Sequence, residues 1–181
     1  MMGDFQKALG FLLEHEGGYT SEPEPTQFGV GLSSLRHAGR ERGKDGAFGD
    51  FDGDGDIDAD DVKKMTQEEA AEYYRRFWWD RHSYEKIVDD DAAAKIFDLS
   101  VNIGPRAAHR LAQRAINQLF GAVLLEDGIL GKKSLAWING SPAFLVLGEL
   151  RAQAWRYYQR VLAKNPQFEK YRDGWRNRAY Q

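Results

Sequence analysis

From Asp50 to Asp61 the chain reads Asp-Phe-Asp-Gly-Asp-Gly-Asp-Ile-Asp-Ala-Asp-Asp, with aspartate at every second position and a pair at the end. Carboxylates this dense repel one another, so the segment excludes a core helix or strand and calls for a cation. The register fits a twelve-position calcium loop. Asp50, Asp52 and Asp54 take positions 1, 3 and 5, and Gly55 makes the sharp turn at position 6. Asp56 offers its backbone carbonyl at position 7, and Asp58 acts through water at position 9. Ile57 falls where such a loop needs an apolar anchor. Asp61 stands at position 12 in place of the usual Glu and reaches less far. The expected ion is Ca2+, with Asp50, Asp52, Asp54, Asp56 and Asp61 as ligands. The alternative is a disordered acidic loop. A glycine and an isoleucine in register favour the metal. One loop with no partner loop does not make a paired sensor. It reads as a structural clip.

The rest of the chain is helical in pattern. Phe5, Ala8, Leu9, Leu12 and Leu13 recur at helical spacing, and Gly17-Gly18 stops that helix. Pro23-Glu24-Pro25 rules out a helix and predicts an extended loop or a short irregular hairpin. Ser33 to Arg42 reads as a short helix. Thr66-Gln67-Glu68-Glu69 is a capping box for a helix to about Arg81, with Ala70, Tyr73, Tyr74, Phe77 and Trp78 on its apolar face. Asp89-Asp90-Asp91 opens a helix that Gly104 closes, and Pro105 starts the next one, which runs to Phe120. Asp127-Gly128 marks a turn, and Gly131 opens a short helix to Ile138. Ser141-Pro142 caps a long helix to about Lys164, which Asn165-Pro166 ends.

At 181 residues and 42% hydrophobic content, the chain can fill one substantial core. No internal repeat or linker divides it, so residues 1–181 read as a single domain. There are no cysteines, which excludes disulfides and thiolate metal sites. The N-terminus lacks a signal-peptide pattern, and no apolar run approaches the ~20 residues needed to span a bilayer. Net charge is −3, but residues 151–178 are strongly basic. That stretch reads either as a solvated helix face or as an attraction to an anionic envelope surface. Nucleic acid is not an expected partner, and the chain reads as a monomer.

Glu14-His15-Glu16-Gly17-Gly18-Tyr19 carries the chemistry. Glu16 falls at the C-terminal end of an apolar helix, where the helix dipole and any burial raise a carboxyl pKa towards the range of a general acid. The other reading is an exposed residue in a last helical turn. Glu-Gly-Gly-Tyr after an apolar helix resembles the start of the glycoside hydrolase family 108 muramidases, lysozyme-like peptidoglycan hydrolases of phages and bacteria. The resemblance continues in order along the chain. Pro23-Glu24-Pro25-Thr26, with Phe28-Gly29-Val30, is similar to a shortened form of the family's acidic loop. Phe97-Asp98-Leu99-Ser100-Val101-Asn102-Ile103-Gly104 resembles its Phe-Asp-x-x-Val-Asn-x-Gly segment, and Gly174-Trp175-Arg176-Asn177-Arg178 its Gly-Trp-x-x-Arg ending. Asp127-Gly128-Ile129-Leu130-Gly131 is similar to the signature of peptidoglycan-binding helical modules, so residues 92–181 read as a binding-like half integrated in the fold. The EF-hand-like loop at 50–61 reads as an insertion.

The resemblance implies a mainly α, lysozyme-like fold. A small N-terminal catalytic lobe would carry the calcium loop, beside a larger helical lobe. It implies hydrolysis of the β-1,4 bond between N-acetylmuramic acid and N-acetylglucosamine. Glu16 would be the acid, Glu24 the second carboxylate with Glu22 in reserve, and Thr26 the residue orienting water. Tyr19, Trp78 and Asn102 are candidate substrate contacts. Trp79 is the alternative to Trp78, and Asn102 could instead satisfy a buried backbone group. Such a protein would be made in the host cytoplasm and act on the bacterial cell wall after release. The alternatives are a non-catalytic peptidoglycan-binding or calcium-binding protein and a lytic transglycosylase.

Overall fold

The computed structural model describes residues 3–14, 18–40 and 48–181. Among them the chain is mainly helical. In order come α1 (Phe5–Leu13), a hairpin of β1 (Thr26–Gln27) and β2 (Val30–Gly31), α2 (Leu32–Gly39), α3 (Ala59–Lys64) and α4 (Gln67–Tyr74). A π-helical turn (Arg75–Trp79), α5 (Asp80–His82) and a 3-10 turn (Tyr84–Lys86) lead to α6 (Asp90–Ile103) and α7 (Pro105–Phe120). Then follow α8 (Lys132–Gly140), α9 (Ala143–Lys164), a 3-10 segment (Pro166–Tyr171) and α10 (Arg172–Tyr180). No described helix is long and apolar enough to cross a membrane. The chain forms two compact units. Leu9–Arg81 make one, and the chain up to Ala8 together with His82–Gln181 make the other.

In the Leu9–Arg81 unit the segment after Tyr19 is a regular hairpin. Thr26 pairs with Gly31 and Gln27 with Val30, antiparallel. The two-residue turn has φ 49° at Phe28 and 77° at Gly29, the positive pair that a type I′ turn requires. Phe28 is an unusual residue there, and Tyr74 holds its carbonyl with a 2.9 Å hydrogen bond. Thr20 and Thr26 exchange backbone hydrogen bonds of 2.9 and 2.8 Å, which lays the incoming chain beside β1. Ile57 is the apolar anchor its position predicts. It packs so closely on Gly39 and Gly49 that a Cβ on Gly39 would lie 2.3 Å from it. Both halves of the Thr66–Glu69 capping box form. The helix they open widens into the π turn rather than running unbroken to Arg81, and buries Phe77 and Trp79. Phe48, Phe51, Tyr73 and Phe77 form a ring cluster with centroids 5.4–6.4 Å apart.

The other unit is built on α6, whose Ala92, Ala93, Ile96, Phe97 and Leu99 are fully buried. Asp89 caps it by accepting from Ala92 N–H at 2.8 Å. Gly104, at φ 85°, ends it, and Pro105 takes the first turn of α7. Ala108, Ala112 and Ala115 let α7 pack closely. Its opposite, polar stripe clamps the following connection. Arg106 and Arg110 donate to the Asp127 and Glu126 carbonyls, and Gln113 to Asp127 and Ile129. His109 Nδ1 lies 3.0 Å from the Gly128 carbonyl oxygen. Ser141 does not cap α9 as expected. Its hydroxyl donates back to the Trp137 carbonyl at 2.6 Å in the last turns of α8, and Pro142 stands at the cap position. Asp4 caps α1 by accepting from Gln6 and Lys7 N–H.

Candidate active site

Glu16 lies outside the described residues, and the geometry begins at the hairpin that follows it. Glu24 precedes β1, and α2 starts directly after β2. The Glu24 side chain folds across that junction. Its Oε2 accepts from Ser33 N–H at 3.0 Å and its Oε1 from the Ser33 hydroxyl at 3.0 Å. The carboxylate thus meets one backbone donor of the first turn of α2, the Ser33 N–H, where an anion is favoured. Gly31, the residue before α2, provides no side-chain cap of its own. A Cβ on Gly31 would lie 2.6 Å from Glu24 Oε1 and 3.5 Å from Thr26 Oγ1, so the bare glycine opens the space both groups border. Thr26 donates its hydroxyl to the Glu24 carbonyl at 3.1 Å. Glu22 is exposed, and its N–H donates to Thr20 Oγ1. Tyr19 is exposed, Trp78 half-buried and Trp79 buried, so of the two tryptophans Trp79 belongs to the core. Asn102 is exposed in the other unit, where its Oδ1 accepts from Tyr158 at 2.8 Å.

The acidic loop is ordered by its own backbone. Asp50 accepts from Gly53 and Gly55 N–H at 2.8 and 3.1 Å, Asp52 from Asp54 N–H, and Asp54 from Asp56 N–H. Gly53 and Gly55 hold φ of 76° and 98°, values that favour glycine. The carboxylates gather in two threes, Asp50 with Asp52 and Asp54, and Asp56 with Asp58 and Asp61, each with oxygens within 4.8 Å of one another. Asp58 caps α3, and buried Asp61 completes its capping box. Asp61 also accepts from Phe51 and Asp52 N–H at 2.6 and 3.2 Å, joining the two ends of the loop. The charges press on each other. Asp54, with lesser contributions from burial, Asp58 and Asp61, raises the Asp56 pKa above the usual range. Lys64, 2.7 Å from Asp52, lowers the Asp52 pKa.

Three contributors escaped the sequence reading. Ser33 was legible only as a hydroxyl near a helix start, Gly31 only as a small residue before it, and Lys64 only as a base after an acidic run.

The family model described as Glycosyl hydrolase 108 matches residues 9–104, just over half of the chain. The chain belongs to glycosyl hydrolase family 108. The matched span includes Glu16, the Glu24–Thr26 hairpin, the acidic loop, Trp78 and Asn102, and it stops at the glycine that ends α6. The solved structure of Brucella abortus SagA is similar, with a TM-score of 0.70 at 23% identity, over 97% of this chain and 88% of that one. That likeness extends the shared fold through α7–α10, beyond the family match. No curated protein matches the chain. Membership of family 108 makes this chain a glycosidase with a mainly α, lysozyme-like fold, in a family directed at peptidoglycan.

Proposed function

We propose that the chain is an N-acetylmuramidase of the endolysin kind, which hydrolyses the β-1,4 bond between N-acetylmuramic acid and N-acetylglucosamine. The observation that carries this reading is the family match, whose bounds include Glu16 and the hairpin. Glu16 protonates the leaving glycosidic oxygen as the C1–O bond breaks. Glu24 is the second carboxylate, which faces the oxocarbenium-like charge or takes a proton from the attacking water. Thr26 orients that water. The Ser33 hydrogen bonds support the role of Glu24, because a carboxylate held at both oxygens is pre-set for its task. Tyr19, Trp78 and Asn102 are sugar contacts in this reading, and the basic residues between Arg151 and Arg178 hold the enzyme to anionic envelope polymers. It acts at the cell wall after release from the cell that made it.

Calcium belongs to the same proposal. Two oxygens bound to one calcium at about 2.3–2.6 Å lie at most roughly 5 Å apart. The spacing within Asp50, Asp52 and Asp54 fits that limit, and all-oxygen donors suit a hard cation. Asp50, Asp52, Asp54, the Asp56 carbonyl and Asp61 would hold the ion, whose contribution is to neutralise the loop rather than to react.

Digestion of purified peptidoglycan, with mass spectrometry of the products, tests the reaction class. New reducing N-acetylmuramic acid ends are expected. Anhydro ends would make the chain a lytic transglycosylase, and no release would make it a binding protein.

A further inference from the structure

We infer that Ser33 is a positioning residue for the reaction and that Gly31 opens the space it needs; this rests on the reading of Glu24 as the second carboxylate. A glutamate ends in a soft torsion, so its carboxylate plane rotates broadly unless both oxygens are held. Ser33 holds both, Oε2 through its N–H and Oε1 through its hydroxyl, each at 3.0 Å. One residue thereby fixes the place and the tilt of the Glu24 carboxylate. The anchor is rigid because Ser33 lies in the first turn of α2, which follows β2 without a linker. The chain enters the same junction through Glu24, whose carbonyl accepts the Thr26 hydroxyl. Gly31 is the complement. Its backbone, at φ −84°, is open to any residue, so conformation alone does not call for glycine there. Space does, since a methyl group would sit 2.6 Å from Glu24 Oε1. Removing the Ser33 hydroxyl frees one carboxylate oxygen, and a side chain on Gly31 pushes the same oxygen away. Both changes displace Glu24 without touching substrate.

The test is steady-state kinetics on solubilised peptidoglycan strands for wild type, Ser33→Ala, Ser33→Thr, Gly31→Ala and Glu24→Gln, each checked by thermal unfolding. Ser33→Ala is expected to lower kcat roughly ten- to a hundredfold with KM within twofold, the size of effect that misplacing a reacting group produces. Ser33→Thr restores the hydroxyl and most of kcat. Gly31→Ala reproduces the kcat loss with the melting temperature little changed. Ser33→Ala at the wild-type rate, or a loss that Ser33→Thr does not rescue, overturns the role of Ser33. If Glu24→Gln is inactive while Ser33→Ala is unimpaired, only this inference fails. If Glu24→Gln turns over normally, the reading of Glu24 fails and takes this inference with it.

Discussion

Lys95 and Asp98, one turn apart in α6, are 1% and 0% exposed, and Arg178 of α10 reaches them. Arg178 Nε lies 3.2 Å from Asp98 and Lys95 Nζ 3.7 Å from it, while Lys95 also donates to the Arg178 carbonyl. Asp98 thus lies within ion-pair reach of two cations. Burial pulls the Lys95 pKa from 10.5 down to about 8; Asp98 opposes the shift, and Arg151 and Arg178 reinforce it. Between pH 8 and 10.5 the unfolded chain therefore binds more protons than the folded one, and stability rises with pH across that window. Lys95→Met flattens the rise. Asp98→Ala takes a buried carboxylate away from two cations and lowers stability, by about 3–5 kcal/mol if the pair behaves as buried ion pairs do, a fall of roughly 10 °C in melting temperature. Thermal unfolding against pH checks both, and a melting temperature unchanged in Asp98→Ala would contradict them. Asp98 and Asn102 were visible in the sequence as parts of one segment. Lys95 was not, because a lysine on an apolar face declares its burial only once α10 closes over it.

The glycine turns of the acidic segment were more legible than the turn of the hairpin. The loop follows from glycines, an isoleucine and aspartates in fixed register, which are local requirements. The hairpin has Phe28 where Asn or Gly is preferred, and its turn is held by Tyr74, 46 residues away. Distance along the chain hid that cause. The same limit hid the π turn at Arg75–Trp79 and the clamp of α7 on residues 126–129. For the loop, calcium at a hundred times its dissociation constant adds about 2.7 kcal/mol of stability, or roughly 5–10 °C in melting temperature. Calorimetric titration should find one ion, and Asp50→Asn with Asp54→Asn should abolish both heat and thermal shift. A melting temperature indifferent to calcium and chelator would remove the ion from the account.

Taken whole, the chain divides at Ala8 and Arg81, whereas its sequence motifs run in one series from the first helix to the last. The order of the helices was readable because caps and breakers are local: Thr66 with Glu69, Gly104 with Pro105, Asn165 with Pro166. A small N-terminal lobe beside a larger helical one was expected from the family resemblance; what was not readable is that the first residues, up to Ala8, belong with the larger unit, because that depends on which apolar faces meet. The bounds of the family match enclose the Glu24 hairpin and α6, and the proposed reaction turns on Glu16, ten residues before that hairpin. Turnover of purified peptidoglycan by Glu16→Gln beside wild type, at matched melting temperature, is therefore the measurement to make. A loss of about 10²–10⁴-fold with folding intact is expected, the contribution of a general acid. A folded Glu16→Gln variant that releases sugar ends at the wild-type rate would contradict it.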